Sequence, residues 1–212
     1  FAKQTLMPIE VVVSDDGSTD GTIEWLDSLY ADDYPFEVRY ITSEHQGYNL
    51  AGAYNVGAKK ARGQRIVFTN ADIIHNSESI KSHMSLKQQL GCGRTGVIPL
   101  PVSRAITTED INDDVLKVRA SDKYLCDAMV RGGNFSIPVD VFQELGGFSD
   151  SYAGKYGSEI ADLIERAKTK GYATTCKVME SCGFHLEHPP RTYKEHQLGN
   201  KQFRREHLGV EA

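Results

Sequence analysis

Long apolar runs are missing from this 212-residue sequence. Nothing approaches the roughly 20 consecutive apolar residues that cross a bilayer, and no basic segment followed by an apolar one opens the chain. The expectation is a cytoplasmic protein whose contact with a membrane is at most peripheral. Excess positive charge is missing too. Lysine and arginine number 24 against 29 aspartates and glutamates, for a formal net charge of -5, which gives no general electrostatic reason to bind nucleic acid. Cys92, Cys126, Cys176 and Cys182 never form a Cys-x-x-Cys pair. That argues against zinc-ribbon and thioredoxin chemistry and for reduced, buried thiols.

What is present is an alternation of strand and helix patterns. Ile9 to Ser14 is a β-branched run ending in Asp15-Asp16-Gly17-Ser18-Thr19-Asp20-Gly21-Thr22, a strand feeding a polar loop. A helix carrying Ile23, Trp25, Leu26 and Leu29 follows, and Pro35 to Ile41 reads as a second strand. Leu50 to Arg62 is rich in helix-forming alanine and meets Gly63 at its end; Arg65 to Thr69 is the next buried strand, ending in Asn70-Ala71-Asp72. A helix around Ser79 to Gln89 and a strand at Gly96 to Leu100 continue the pattern.

Such alternation implies an α/β fold with a mainly parallel central sheet flanked by helices. Ligands of such sheets bind beyond the carboxyl ends of the strands, where both acidic clusters fall. The second half is less regular. Ser103 to Asp122 reads as a polar excursion, Val139 to Leu145 as a short helix and Ser158 to Lys170 as a helix stopped by Gly171. Tyr172 to Met179 reads as a strand, and Thr192 to His207 as a locally basic helical tail. No linker divides the chain, so residues 1–212 are expected to be one domain.

Asp72 is a hard oxygen ligand, and His185 or His188, in Phe184-His185-Leu186-Glu187-His188, supplies imidazole nitrogen. That set suits Mn²⁺, or Mg²⁺, with diphosphate oxygens completing the shell. Glu159 and Asp162 lie three apart on the helix from Ser158, so either can face one cleft.

These residues resemble the family 2 glycosyltransferases, which have the GT-A fold. The resemblance rests on Val11 to Thr22, on Gly52-Ala53-Tyr54-Asn55-Val56-Gly57 with Ala61-Arg62-Gly63, and on Phe68-Thr69-Asn70-Ala71-Asp72 in place of the DXD motif. It continues through Gly132-Gly133-Asn134-Phe135-Ser136, Gly146-Gly147-Phe148 and Tyr156 to Leu163. The second half is also similar to the galactosyltransferase-type region of chondroitin-polymerase-like enzymes. The resemblance implies a metal-dependent transfer from a UDP-sugar to a hydroxyl on a glycan or lipid-linked acceptor, as in polysaccharide biosynthesis, with inversion the usual stereochemistry. It carries donor binding onto Asp15, Asp16, Ser18, Asn55, Asn70, Ala71, Asp72, Gly132, Gly133 and Asn134, metal binding onto Asp72 with His185 or His188, and the general base onto Glu159 or Asp162.

Four departures accompany it. The family's Glu-Asp pair reads Glu159-Ile160 here, and isoleucine accepts no proton. Asn70 stands where the first Asp of DXD is common, and Tyr54 where an arginine often precedes the Asn. A first strand that family members place ahead of a segment like Phe1 to Pro8 is absent. A retaining transferase and a catalytically decayed sugar-nucleotide or glycan-binding module are the alternatives these departures leave open.

Overall fold

The three consecutive valines at Val11-Val12-Val13 favour extended backbone, since branching at Cβ packs well on a pleated surface. In the computed structural model, which describes residues 1–29, 33–45, 47–98, 125–126, 133–154 and 157–186, they form β1 (Glu10–Asp15). Helix α1 (Thr22–Leu29) crosses to β2 (Glu37–Thr42), which pairs with β1 in parallel, Val13 opposite Tyr40. Asn49 then caps α2 (Leu50–Lys60), its side chain accepting from the Gly52 amide at 2.9 Å. Ala51, Tyr54 and Ala58 form the buried stripe of α2, at the three-and-four spacing of one helix face.

Among the described residues the larger sheet has six strands. Along it run β3 (Arg65–Phe68), β7 (Phe135–Pro138), β5 (Leu90–Ile98), β8 (Thr174–Leu186) and β4 (Ile73–His75), with β6 (Leu125–Cys126) joined to β5. Here the expectation of a mainly parallel sheet needs correction. Only β5 and β8 pair in parallel; β3 with β7, β7 with β5, β4 with β8 and β5 with β6 are antiparallel. Strand–helix alternation orients neighbours in sequence. It is silent about β7 and β8, which enter from the second half and lie between and beside earlier strands. Among the described residues, β1 has β2 as its one strand partner and stays apart from the six-stranded sheet.

Element ends also moved. Helix α3 (Ser79–Met84) stops five residues short of Gln89, and β5 begins at Leu90, six residues before the expected Gly96. The short helix α4 (Val139–Glu144) and the helix α5 (Glu159–Thr169) fall where expected. Gly171, at φ +85°, ends α5: its amide reaches the Lys168 carbonyl and that of Tyr172 reaches Ala167. Strand β8 outlasts the expected Tyr172 to Met179 by seven residues, and this extension carries His185. The excursion at 103–122 and the tail at 192–207 lie outside the described residues.

One apolar cluster draws on both halves of the chain. Phe68 sits in it against Tyr54 (ring centroids 4.9 Å), Phe148 (5.1 Å) and Phe142 (5.4 Å), with Leu163, Ile164 and Ala167 of α5 in the same core. A buried phenylalanine of this kind holds the fold by about 3–5 kcal/mol relative to alanine. Cys92 and Cys182 are buried. Among the described residues, no helix is long and apolar enough to cross a membrane.

Candidate active site

The loop between β3 and β4 carries Asn70, Ala71 and Asp72, and three elements converge on it. From α2, the Tyr54 hydroxyl donates to Asn70 Oδ1 at 2.5 Å. From β8, His185 Nε2 lies 3.1 Å from Asp72 Oδ2, a pairing set by the register that puts Ile73 opposite His185. From the segment before β7, Gly133 presses against the loop: at φ +97°, a Cβ there would stand 2.9 Å from Ile73 Cγ1 and 3.4 Å from Asn70 Cγ. Glycine alone fits both that dihedral and that approach.

Glu159 faces the same group. Burial first, then the charges of Glu159 and Asp72, push the Tyr54 phenol above its ordinary range, so both carboxylates act on one hydroxyl. Glu159 opens α5, is 5% exposed, and its Oε2 has no hydrogen-bond partner among the described residues. Burial raises its pKa, which suits a carboxylate that must accept a proton. Ile160 is a core residue. The side chain after Glu159 therefore belongs to packing, and the carboxylate at this helix start is Glu159.

Asp162, the other candidate base, is fully buried, with Oδ2 2.8 Å from Arg166 Nε. The same guanidinium donates to the carbonyls of Leu145 (2.7 Å) and Gly147 (2.9 Å). That arrangement staples α5 to the turn after α4.

The remaining expected donor contacts divide into loop and scaffold. Asp15 accepts from the amides of Gly17 (3.0 Å) and Ser18 (3.1 Å), closing the turn at the end of β1. Asp16 Oδ2 stands 3.2 Å from His45 Nδ1, and Ser18 and Ala71 are exposed. Asn55 has both ends of its amide on the Phe148 backbone at 2.9 Å, which brackets the Gly146-Gly147-Phe148 turn against α2. Asn134 is fully buried, its Oδ1 2.8 Å from His83 Nε2. The resemblance carried donor binding onto Asn55 and Asn134; in the structure their amides bond the Phe148 backbone and the buried His83. Gly132 and His188 lie outside the described residues.

Sequence reasoning missed a buried polar chain behind the loop. It runs Thr69, His75, Ser79, Ser181, His83, Ser136 and Arg65, each within 3.1 Å of the next. Burial chiefly lowers His75 to about 3, and likewise His83 to about 4, so both rings are neutral near pH 7. The one available signal was the placing of Ser79 and His83 four apart, on one face of a helix otherwise apolar at Ile80.

The chain matches the family model described as glycosyl transferase family 2 over residues 1–101. Residues 116–194 match a second model, the N-terminal domain of galactosyltransferase. A validoxylamine A glucosyltransferase of Streptomyces hygroscopicus subsp. limoneus is 27% identical over 89% of this chain and 47% of its own length. A dolichol-phosphate mannosyltransferase of Mycosarcoma maydis is 34% identical over 39% of this chain and 28% of its own. This chain thus spans about half the length of the first of these curated relatives.

Among solved structures, GalNAc-T7 with UDP, GalNAc and Mn²⁺ superposes with a TM-score of 0.60 at 17% identity, over 84% of this chain and 38% of its own. S. aureus TarS 1-349 with UDP-GlcNAc does so at 0.62 and 14%, over 90% of this chain and 53% of its own. The fold is therefore GT-A.

The donor set at the loop fits part of a divalent shell. Asp72 supplies carboxylate and His185 imidazole, both about a third exposed and thus open to a ligand that brings the remaining oxygens. No group of three protein ligands is gathered among the described residues.

Proposed function

We propose that this chain transfers a sugar from a UDP-sugar to a hydroxyl of a glycan or lipid-linked acceptor, with inversion, and needs Mn²⁺ or Mg²⁺ to do so. The observation that carries this reading is the meeting of Asp72, His185 and Glu159 around the Tyr54–Asn70 pair. The UDP and Mn²⁺ in the titles of the structural neighbours support the donor and the ion.

Asp72 and His185 would hold the ion, which would supply positive charge against the leaving diphosphate. Tyr54 keeps Asn70 turned so that its amide nitrogen is available to the donor. Glu159 accepts the proton of the acceptor hydroxyl while that oxygen bonds to the anomeric carbon and the bond to the diphosphate breaks. The proton ends on the carboxylate and the electron pair on UDP. A carboxylate already biased toward protonation by burial gives up little in taking it.

Calorimetric titration of UDP with Mn²⁺ and then with EDTA, repeated on Asp72→Ala, tests the site. The expected result is metal-dependent binding in the native chain and its loss in the variant. Equal binding with and without metal refutes the bridged site. Hydrolysis of UDP-sugar measured with and without acceptor separates an enzyme from a binding module, which would bind the donor and turn none over.

A further inference from the structure

The loop that carries Asn70 and Asp72 is closed at its two ends by side chains that meet each other. Thr69 leaves β3, His75 ends β4, and Thr69 Oγ1 stands 2.7 Å from His75 Nε2. Within the loop one backbone hydrogen bond, Ile73 amide to Asn70 carbonyl at 3.2 Å, spans the turn, while Tyr54 and His185 reach Asn70 and Asp72 from outside. We infer that His75 is a positioning residue of the sugar-nucleotide site, clasping Thr69 so that Asn70 and Asp72 are held where donor and ion require them. The inference rests on the function proposed above.

His75 is itself anchored from behind. Its Nδ1 lies 3.1 Å from Ser79 Oγ, which lies 2.6 Å from Ser181 Oγ. Ser181 is in turn 3.0 Å from His83 Nε2 and 3.1 Å from Asn134 Oδ1. Asn134 Oδ1 can only accept, so His83 Nε2 carries the ring proton. Arg65 can only donate to Ser136, so the Ser136 proton goes to His83 Nδ1. The chain is satisfied to its far end with the His83 ring neutral.

The clasp survives either tautomer of His75. Thr69 can donate to a bare Nε2, or accept from Nε2–H while donating to the Asn70 carbonyl 3.2 Å away. On the outer side Phe1 stacks on the His75 ring at 5.5 Å. The buried amide of Asn134 also fixes the residue next to Gly133, which bears on the loop from its other side. One polar network therefore holds both flanks of the candidate loop while touching none of its ligating atoms. Outer partners of this kind typically change metal-site affinity by about 10- to 100-fold when removed.

Thr69→Val removes the hydroxyl at nearly constant shape, and Thr69→Ser keeps it. Two readouts are needed: UDP affinity with Mn²⁺, and hydrogen exchange of the ligand-free chain over residues 69–75, referenced to a peptide from β5. The expected result is that Thr69→Val weakens UDP about tenfold and speeds exchange in 69–75 but not in β5, with Thr69→Ser restoring both. A lowered melting temperature with unchanged affinity and unchanged loop exchange would make the pair merely structural and overturn the inference. If the native chain binds no UDP, the proposed function fails. The exchange readout then decides the clasp alone, faster loop exchange supporting it and equal exchange overturning it.

Discussion

Lowering the pH from 7 to 5 should weaken this fold by about 2 kcal/mol through His83 alone. The ring is fully buried between Asn134 and Ser136, and burial chiefly, with the nearby Arg65 charge, brings its pKa to about 4. In the unfolded chain the same group titrates near about 6.5. A histidine depressed by folding contributes stability that is whole above the unfolded value and lost as pH falls toward the folded one, because the unfolded chain takes up a proton that the folded chain refuses. Each pH unit inside that window is worth about 1.4 kcal/mol, and about one and a half units separate 6.5 from 5. His75 works in the same direction and continues to lose stability to about pH 3. Urea unfolding followed by far-UV circular dichroism at pH 7, 6 and 5, on the native chain and on His83→Gln, measures the effect. Glutamine does not titrate, so the native chain's loss across this range should exceed the variant's by about 2 kcal/mol. Equal pH dependence in the two proteins would refute the placement of a neutral, buried His83, whatever their absolute stabilities.

Glu159→Gln should lower sugar transfer by about 10²- to 10⁴-fold, the usual contribution of a general base, while leaving UDP affinity within about twofold; assays of released UDP and calorimetry check the two halves. In the native enzyme turnover should fall as pH drops through the raised Glu159 pKa, since the protonated carboxyl accepts nothing. Arg166→Met should cost about 3–5 kcal/mol in urea unfolding, because it strands the Asp162 carboxylate, fully buried, without its ion pair. Gly147→Ala should lower the melting temperature: its φ of +75° disfavours a side chain, and the new Cβ would stand 2.7 Å from Asn55 Oδ1.

Most of the first half was legible in sequence because local signals fix it. The valine run, the Asn49 cap and the alanine-rich stripe each specify one element, and the acidic tips of β1 and β3 lie at strand ends, as the alternation required. The sequence paired Asp72 with His185 or His188; the structure brings His185 within 3.1 Å of Asp72, and His188 lies outside the described residues. The direction of β7 was not legible, since four buried residues in a row carry no sign of whether the neighbours run parallel or antiparallel. Nor were the roles of Asn55, Asn134 and Asp162. Each is a polar residue at a motif position, and only the fold shows that Phe148 and His83 bond the amides of Asn55 and Asn134 and that Arg166 bonds one oxygen of Asp162, whose Oδ1 has no partner among the described residues. The His75 to His83 network escaped because its members come from β3, β4, α3, β7 and β8, which no sequence spacing joins.

Strand β8 acts as a ruler read at two marks. Ser181, at the end of an irregular stretch of the strand, and His185 lie four residues apart, the first bonded into the buried hydroxyl chain and the second to Asp72. Inserting one residue between them would leave the Ser181 mark untouched and turn the other to the opposite face. An insertion or deletion of two would keep the face but shift the imidazole by about 7 Å along the strand, beyond reach of the carboxylate. Length variation is therefore barred from the three positions between Ser181 and His185 even though none of them bears on the donor, and homologous sequences should show their gaps on either side of this stretch.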